Sequence, residues 1–153
     1  MRDWYCLVLG AKPAYDNGSL AFLAYDDEHH RIGLVSLDEY AVPQNAVVGL
    51  QHFSFTYDSL EALFDNYERL KAEAIIPLWT VNHGPTISMY YADPDGNHIE
   101  LQVDVFATVE EADAFLAGPI YRDNPRGIDF DPDEMNARLR AGASFEELTR
   151  RTR

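Results

Sequence analysis

Residues 81–100 concentrate side chains that can bind a metal or transfer protons. The segment reads V-N-H-G-P-T-I-S-M-Y-Y-A-D-P-D-G-N-H-I-E and carries His83, Tyr90 and Glu100 on three successive predicted strands. An imidazole, a phenol and a carboxylate supply metal ligands and acid–base groups. Further histidines lie upstream of this segment: His29, His30 and His52. The set predicts a mononuclear metal site that activates oxygen.

Composition restricts the classes of partner. The chain has 153 residues, 46% of them hydrophobic, which is enough for one domain or two small fused modules with a buried core. Its formal charge of −14 argues against nucleic acid and anionic membrane surfaces as partners. The single cysteine, Cys6, excludes an intramolecular disulfide and fits a reducing cytoplasm. No apolar run approaches the roughly 18 residues that a membrane span needs, and no secretory signal is present.

The first part of the chain predicts a helix followed by three strands. Residues 1–9 resemble the end of an amphipathic helix, and Gly10 is the expected stop. Strand-like runs follow at 11–15, 20–25 and 30–37, and residues 39–48 are predicted to be a linker. Because a domain rarely opens inside a helix, we expect a segment to precede Met1.

The second part predicts a complete β-α-β-β-β unit. An alternating strand over 49–57 is followed by a helix over 59–73 whose apolar residues recur at helical spacing. Strands are predicted at 75–81, 86–91 and 98–104. The element order of residues 1–38 is that of residues 49–106 without the opening strand, which indicates an internal repeat.

The remaining residues, 107–153, are predicted to form a helical extension. Helices are expected at 108–116, 131–140 and 144–151, with a loop over 118–127. Apolar residues in this part indicate packing against the body or a neighbouring subunit, and a solvated tail is the alternative.

Strand parity places candidate ligands together. His52 shares a face with Ser54 and Thr56, whereas Phe53 and Phe55 lie on the other face and are predicted, with Trp79, to be core. The first and last strands of such a unit commonly pair, so Glu100 can lie beside His52. A metal pair and a structural His–carboxylate hydrogen bond both fit this arrangement.

The motif around these residues resembles the vicinal-oxygen-chelate superfamily and, within it, the type I extradiol ring-cleaving dioxygenases. The resemblance rests on V-N-H at 81–83, M-Y at 89–90, D-P-D-G at 93–96 and Glu100. Two other segments are similar to family strands: E-H-H-R-I at 28–32 and L-Q-H-F at 50–53. The resemblance covers roughly residues 2–106. The implied fold is α+β, with two βαβββ modules, the first lacking its opening strand, forming a cupped mixed sheet, plus the helical extension.

The resemblance implies a chemistry and a role for each candidate residue. His52 and Glu100 would be ligands of Fe(II), with Mn(II) the other metal considered, and a third ligand is expected upstream of Met1. The substrates would be a catechol and O2. His30 would be the acid–base residue, and His83 and Tyr90 would hydrogen-bond the substrate oxygens.

Other interpretations fit the same candidate residues. His30 fits an exposed strand end, His83 an ordinary loop histidine, and Tyr90 a core aromatic. The third ligand could also come from a partner chain or from His98 or His29, or the chain could be a non-catalytic relative that binds an aromatic molecule. A glyoxalase-like isomerase on zinc or nickel is a further alternative. An unpaired sheet edge favours a homodimer or a higher homo-oligomer.

Overall fold

The computed structural model describes residues 1–36 and 50–151, so the predicted linker at 39–48 lies outside the described residues. The chain forms two compact units. One contains Met1–Gln51 and Ala92–Asn97, and the other contains His52–Tyr91 and His98–Arg153. The described residues include no helix of the length and apolarity that a membrane crossing requires.

The first unit has a helix and a three-stranded antiparallel sheet. Its elements are α1 (Arg2–Leu9), β1 (Lys12–Asp16), β2 (Leu20–Ala24) and β3 (Ile32–Val35). The helix ends at Gly10, whose φ of 65° is left-handed, as the sequence predicted. Tyr5, Val8 and Leu23 are buried in this unit, and the Tyr5 hydroxyl donates to Asp93 at 2.9 Å.

The second unit contains a five-stranded mixed sheet with the order β4-β7-β6-β5-β8. Its first elements are β4 (His52–Thr56), α2 (Leu60–Ala72), β5 (Trp79–Asn82), β6 (Thr86–Ala92) and β7 (His98–Asp104). Strands β4 and β7 pair in parallel, and β5 pairs antiparallel with β6. The predicted β-α-β-β-β order and the α+β class are therefore confirmed.

Helix α2 supplies the core side chains that hold this sheet. The Ser59 hydroxyl accepts a hydrogen bond from the Ala62 amide at 3.1 Å and caps the helix. Buried residues recur at helical spacing along it: Leu60, Leu63, Phe64, Tyr67 and Leu70. Each such side chain contributes about 1.5–3 kcal/mol of transfer free energy. The helix packs on β7 and so fixes the strand that carries Glu100.

The C-terminal extension packs on the second unit and is not a solvated tail. Its elements are α3 (Val109–Leu116), α4 (Pro119–Asp123), β8 (Ile128–Asp129), α5 (Pro132–Arg140) and α6 (Phe145–Thr149). Strand β8 pairs with β5, and the Asp133 carboxylate accepts from the Tyr67 hydroxyl at 2.9 Å. Buried Leu139 and Leu148 complete the contact.

Several sequence predictions need correction. The loop predicted over 118–127 contains α4, and β8 follows directly after it; neither was predicted. The strand predicted at 75–81 begins only at Trp79. Phe53 is not a core residue, since it is 61% exposed on β4. Strand β4 is at an edge of its sheet, where fewer elements bury its side chains. Strand alternation alone had predicted that Phe53 would be buried. The proposed boundary between residues 106 and 107 stays a prediction.

Candidate functional site

Parallel pairing of β4 with β7 brings an imidazole to a carboxylate. Ser54 is the register partner of Glu100, and His52 lies two residues before Ser54 on the same face. His52 Nε2 is 3.0 Å from Glu100 Oε2. Glu100 is only 5% exposed, so its carboxylate needs polar partners. The sequence prediction that these two side chains meet is therefore realised in the fold.

The donor pair fits two positions of a metal site. Two ligand atoms that each lie about 2.1 Å from one cation, at right angles, are separated by about 3.0 Å, and imidazole and carboxylate suit first-row metals. The observed separation of His52 Nε2 from Glu100 Oε2 is 3.0 Å. Within residues 1–36 and 50–151, no cluster of three or more His, Cys, Asp or Glu residues could hold a metal ion. The described chain thus offers two ligands and not three.

A hydrogen-bonded relay leads away from the carboxylate. The Tyr90 hydroxyl donates to Glu100 Oε1 at 2.9 Å and lies 3.0 Å from His83 Nε2. The phenol has one proton and two partners, so a proton can lie at either end of the relay. Burial, and then the hydrogen bond to Glu100, raise the pKa of Tyr90 above its usual range. Tyr90 therefore stays a neutral phenol near pH 7.

His83 occupies a half-buried position at the end of β5. Burial lowers the pKa of its imidazole from the ordinary value of 6.5, although the negative charge of Glu100 opposes that shift. Interaction with the backbone of Arg126, which belongs to the C-terminal extension, also opposes the lowering of this pKa. A neutral imidazole near pH 7 can accept a proton, which suits an acid–base or hydrogen-bonding role.

An aromatic wall that the sequence analysis did not identify stands beside the relay. Trp79 stacks on Tyr90 with ring centroids 5.0 Å apart and lies edge-on to His83 at 5.4 Å. Its indole N–H donates to Asp129 at 2.8 Å, and the Arg126 guanidinium lies 4.9 Å from its ring centroid. The wall presents apolar surface next to polar groups, as ligand sites do.

A sequence signal for Trp79 existed, whereas none existed for the extension residues. Trp79 is the register partner of Tyr90 in the β5–β6 hairpin, so cross-strand parity could have placed it there. Arg126 and Asp129 lie in the segment after α4, and no periodicity relates that segment to β5.

His29 and His30 lie in the first unit, and both are exposed. Their Nδ1 atoms are 2.8 Å apart, and the His30 ring stacks on Phe22 with centroids 4.5 Å apart. His30 precedes β3 by two residues and does not begin that strand. The structure thus brings together His52, His83, Tyr90 and Glu100 in the second unit, and the role of His30 stays a prediction.

The chain matches a known protein family over most of its length. Residues 1–101 match the model of the Glyoxalase/Bleomycin resistance protein/Dioxygenase superfamily. This span includes His30, His52, His83, Tyr90 and Glu100, and it ends before the C-terminal extension.

Curated relatives extend that match to nearly the whole chain. The chain is 44% identical over 150 residues to biphenyl-2,3-diol 1,2-dioxygenase 2 from Rhodococcus globerulus, covering 97% of this chain and 79% of that protein. It is 42% identical over 153 residues to biphenyl-2,3-diol 1,2-dioxygenase 3 from the same organism, covering 99% of this chain and 80% of that protein. Both matches include the extension.

A solved structure supports the fold alone. The genomically encoded fosfomycin resistance protein from Listeria monocytogenes aligns with a TM-score of 0.53 at 20% sequence identity. The alignment covers 72% of this chain and 84% of that chain.

Proposed function

The chain belongs to the Glyoxalase/Bleomycin resistance protein/Dioxygenase superfamily, and we propose on that premise that it is an extradiol dioxygenase. Its proposed substrates are O2 and an aromatic vicinal diol such as biphenyl-2,3-diol, the compound named for both curated relatives. The observation that carries the proposal is the joined set His52–Glu100–Tyr90–His83, whose links are 3.0, 2.9 and 3.0 Å long. It combines two metal ligands with a proton relay.

His52 and Glu100 are the proposed ligands of Fe(II), with Mn(II) as the other candidate metal. Held by these residues, such a metal would supply Lewis acidity toward the diol and a redox centre for its oxidation by O2. Glu100 would keep its Oε1 contact with Tyr90, because Oε2 is the oxygen that faces His52. The carboxylate therefore supplies negative charge to the metal while Tyr90 fixes its orientation.

His83 and Tyr90 are the proposed groups that orient the diol and move its protons. The Tyr90 oxygen, whose single proton goes to Glu100, can accept a hydrogen bond from a diol hydroxyl, and the neutral His83 imidazole can take up a proton released as the diol binds. Their mutual contact of 3.0 Å lets that proton pass between them. Trp79 would form one wall of the substrate site, since its ring stacks on Tyr90.

Other assignments complete the proposal. His30 is proposed as a further acid–base residue on the resemblance alone. A cytoplasmic location rests on the single Cys6, and a homodimer or higher homo-oligomer rests on the exposed sheet edge that β4 forms.

The test is ring cleavage by the metal-loaded protein. Full-length protein loaded anaerobically with Fe(II) is mixed with biphenyl-2,3-diol, catechol or 3-methylcatechol, and oxygen is then admitted while visible absorbance and O2 consumption are recorded. We expect a yellow ring-opened product with one O2 consumed per diol. His52→Ala and Glu100→Gln should abolish it, because each removes a proposed ligand.

Matched variants make the result specific. His29→Gln removes an exposed imidazole of the first unit and should leave activity unchanged. His98→Gln tests whether the register partner of His52 supplies a ligand. Bound iron without any ring-opened product would contradict the dioxygenase proposal and would favour a protein that only binds aromatic diols.

A further inference from the structure

The loop that carries His83, residues 82–84, is held by the last residues of the extension. The Asn82 side-chain amide donates to the Thr149 carbonyl at 2.8 Å. Its amide oxygen accepts from the Gly84 backbone N–H, also at 2.8 Å. Asn82 is buried, so both contacts are shielded from water. The extension is therefore joined to the main chain of this loop through the Asn82 side chain.

Arg151 makes a second and unusual contact with this loop. Its guanidinium donates to the carbonyl oxygens of His83 and Asn124, and the residue is only 7% exposed. Its Nε has no hydrogen-bond partner, and Arg151 forms no ion pair with a carboxylate among the described residues. The Phe115 ring lies 5.8 Å from the guanidinium. The buried cation is thus held by main-chain oxygens and an aromatic face.

Asn124, the second residue that Arg151 contacts, belongs to a loop that lies close to the surroundings of the His83 ring. The Asn124 side-chain amide donates to the Gly127 carbonyl at 2.8 Å, and its oxygen accepts from the Gly127 N–H at 3.1 Å. These bonds close a short loop that contains Arg126, whose guanidinium lies 4.9 Å from the centroid of the Trp79 ring, and Trp79 in turn lies edge-on to the His83 ring at 5.4 Å. Arg151 consequently joins the main chain of His83 to the loop that carries Arg126.

Stability alone does not account for such a group. Burying a guanidinium without a carboxylate costs several kcal/mol, and an apolar residue of similar size is often at least as stable at a buried position. A planar fork with several N–H donors can, however, fix two carbonyl groups in one geometry, which neither an apolar chain nor an ammonium group reproduces. The contact therefore favours an orienting role.

We propose that Arg151 is a positioning residue that fixes the His83 imidazole against Tyr90 by holding the His83 and Asn124 carbonyls together. The inference deepens the proposed function, on which its catalytic meaning rests, and it assigns a role to the extension, which lies beyond the family-model match to residues 1–101. A displacement of about 1 Å in a reacting group can lower a rate by about 100-fold, so orientation of this ring matters.

The test measures the NMR signals of the His83 ring nitrogens and needs neither metal nor substrate. Metal-free, full-length protein with 15N-labelled histidine is compared as wild type, Arg151→Met, Arg151→Lys and the control Arg150→Met, with His83→Gln to assign the signals. Arg150 is the adjacent residue but is exposed, and its guanidinium lies 3.7 Å from the exposed Glu146 carboxylate. Thermal unfolding is recorded for every variant.

We expect Arg151→Met to move the two His83 ring-nitrogen signals toward those of a freely exchanging imidazole, while the His29 and His30 signals stay in place. Arg151→Lys, which can bind one carbonyl, should show a smaller shift, and Arg150→Met none. If ring cleavage is established, kcat should fall about tenfold in Arg151→Met with KM within about twofold.

Two outcomes would overturn the proposal. Unchanged His83 signals in folded Arg151→Met would show that Arg151 does not orient the ring. Loss of folding in both Arg151→Met and Arg151→Lys would show that the residue stabilises the whole unit. A chain that cleaves no diol but shows the expected His83 shift would contradict the proposed function and leave the positioning role intact.

Discussion

Each oxygen of the Glu100 carboxylate has a partner of its own. His52 lies 3.0 Å from Oε2, and the Tyr90 hydroxyl lies 2.9 Å from Oε1. A buried carboxylate with two directed partners cannot rotate freely, so its lone pairs point in fixed directions. At the residue scale, Tyr90 is the side chain that joins His52 and Glu100, the proposed metal ligands, to His83.

Replacing Tyr90 by Phe tests this junction. We expect kcat for diol cleavage to fall about 100-fold, because a positioned proton donor is lost. The free energy of unfolding should fall by about 1–3 kcal/mol, because Glu100 Oε1 loses its hydrogen bond in a buried place. Steady-state O2 consumption and urea denaturation measure the two effects.

Tyr91→Phe is the matched control. Tyr91 is the next residue on β6, it is fully buried, and its hydroxyl lies 3.8 Å from the Met89 sulfur. Alternation points its ring to the opposite face of the sheet. Equal losses of kcat in the two variants would remove Tyr90 from the relay.

The pH dependence of stability should report His83. Burial lowers the pKa of its imidazole in the folded state below the ordinary 6.5, so the unfolded chain binds this proton first as the pH falls. The free energy of unfolding, relative to His83→Gln, should therefore be constant above about pH 7.5 and fall as the pH drops below about 6.5. Urea denaturation of both proteins across this range measures the two free energies of unfolding. A wild-type chain that becomes more stable relative to His83→Gln on acidification would contradict the prediction.

At the element scale, the β5–β6 connection is shaped by a glycine beneath an aromatic ring. Gly84 has a φ of 100°, and a Cβ built there would lie 2.2 Å from the Phe115 ring of α3. The extension therefore packs directly on the turn that follows His83. Only glycine allows both the backbone conformation and this close approach.

Gly84→Ala should consequently destabilise the second unit by more than the strain of a positive φ alone would. We expect a loss of about 2–4 kcal/mol, combining left-handed strain with overpacking against Phe115. Gly96→Ala is the control, because Gly96 has a φ of 86° but no atom within 4 Å of its built Cβ. It should cost about 1–2 kcal/mol. Equal costs in chemical denaturation would show that Phe115 moves away freely.

At the scale of the whole molecule, metal binding should be linked to folding. Because the proposed ligands come from β4 and β7, which meet only in the folded sheet, metal binds the folded chain preferentially. Anaerobic Fe(II) at about 100 times its Kd should raise the free energy of unfolding by about 2.7 kcal/mol. Anaerobic thermal unfolding with and without Fe(II) or a chelator measures this.

Two variants define the specificity of that stabilisation. Glu100→Gln should lose it, whereas Asp104→Asn, at the exposed end of the same strand, should keep it. Equal stabilisation of the two variants would indicate surface binding to a chain whose formal charge is −14.

The side chains of the candidate site and most of the elements that carry them could be predicted from the amino-acid sequence. Strand alternation placed His52 and Glu100 on one face of the sheet, and the spacing of His83, Tyr90 and Glu100 resembles a motif of the family. The family itself is shown by the model match and the two relatives. Helix α2 and strands β6 and β7 followed from local periodicity and capping. These features depend on neighbours in sequence, so a single chain suffices to predict them.

The surroundings of those side chains follow from tertiary contacts that the sequence pattern does not predict. The exposure of Phe53, the stacking of Trp79 on Tyr90 and the contact of Arg151 with the His83 carbonyl depend on which elements lie at a sheet edge or pack across it. Arg151 and His83 are 68 residues apart, and no periodicity connects them. Burial and side-chain partners are properties of the packed unit, because they depend on contacts between distant parts of the chain.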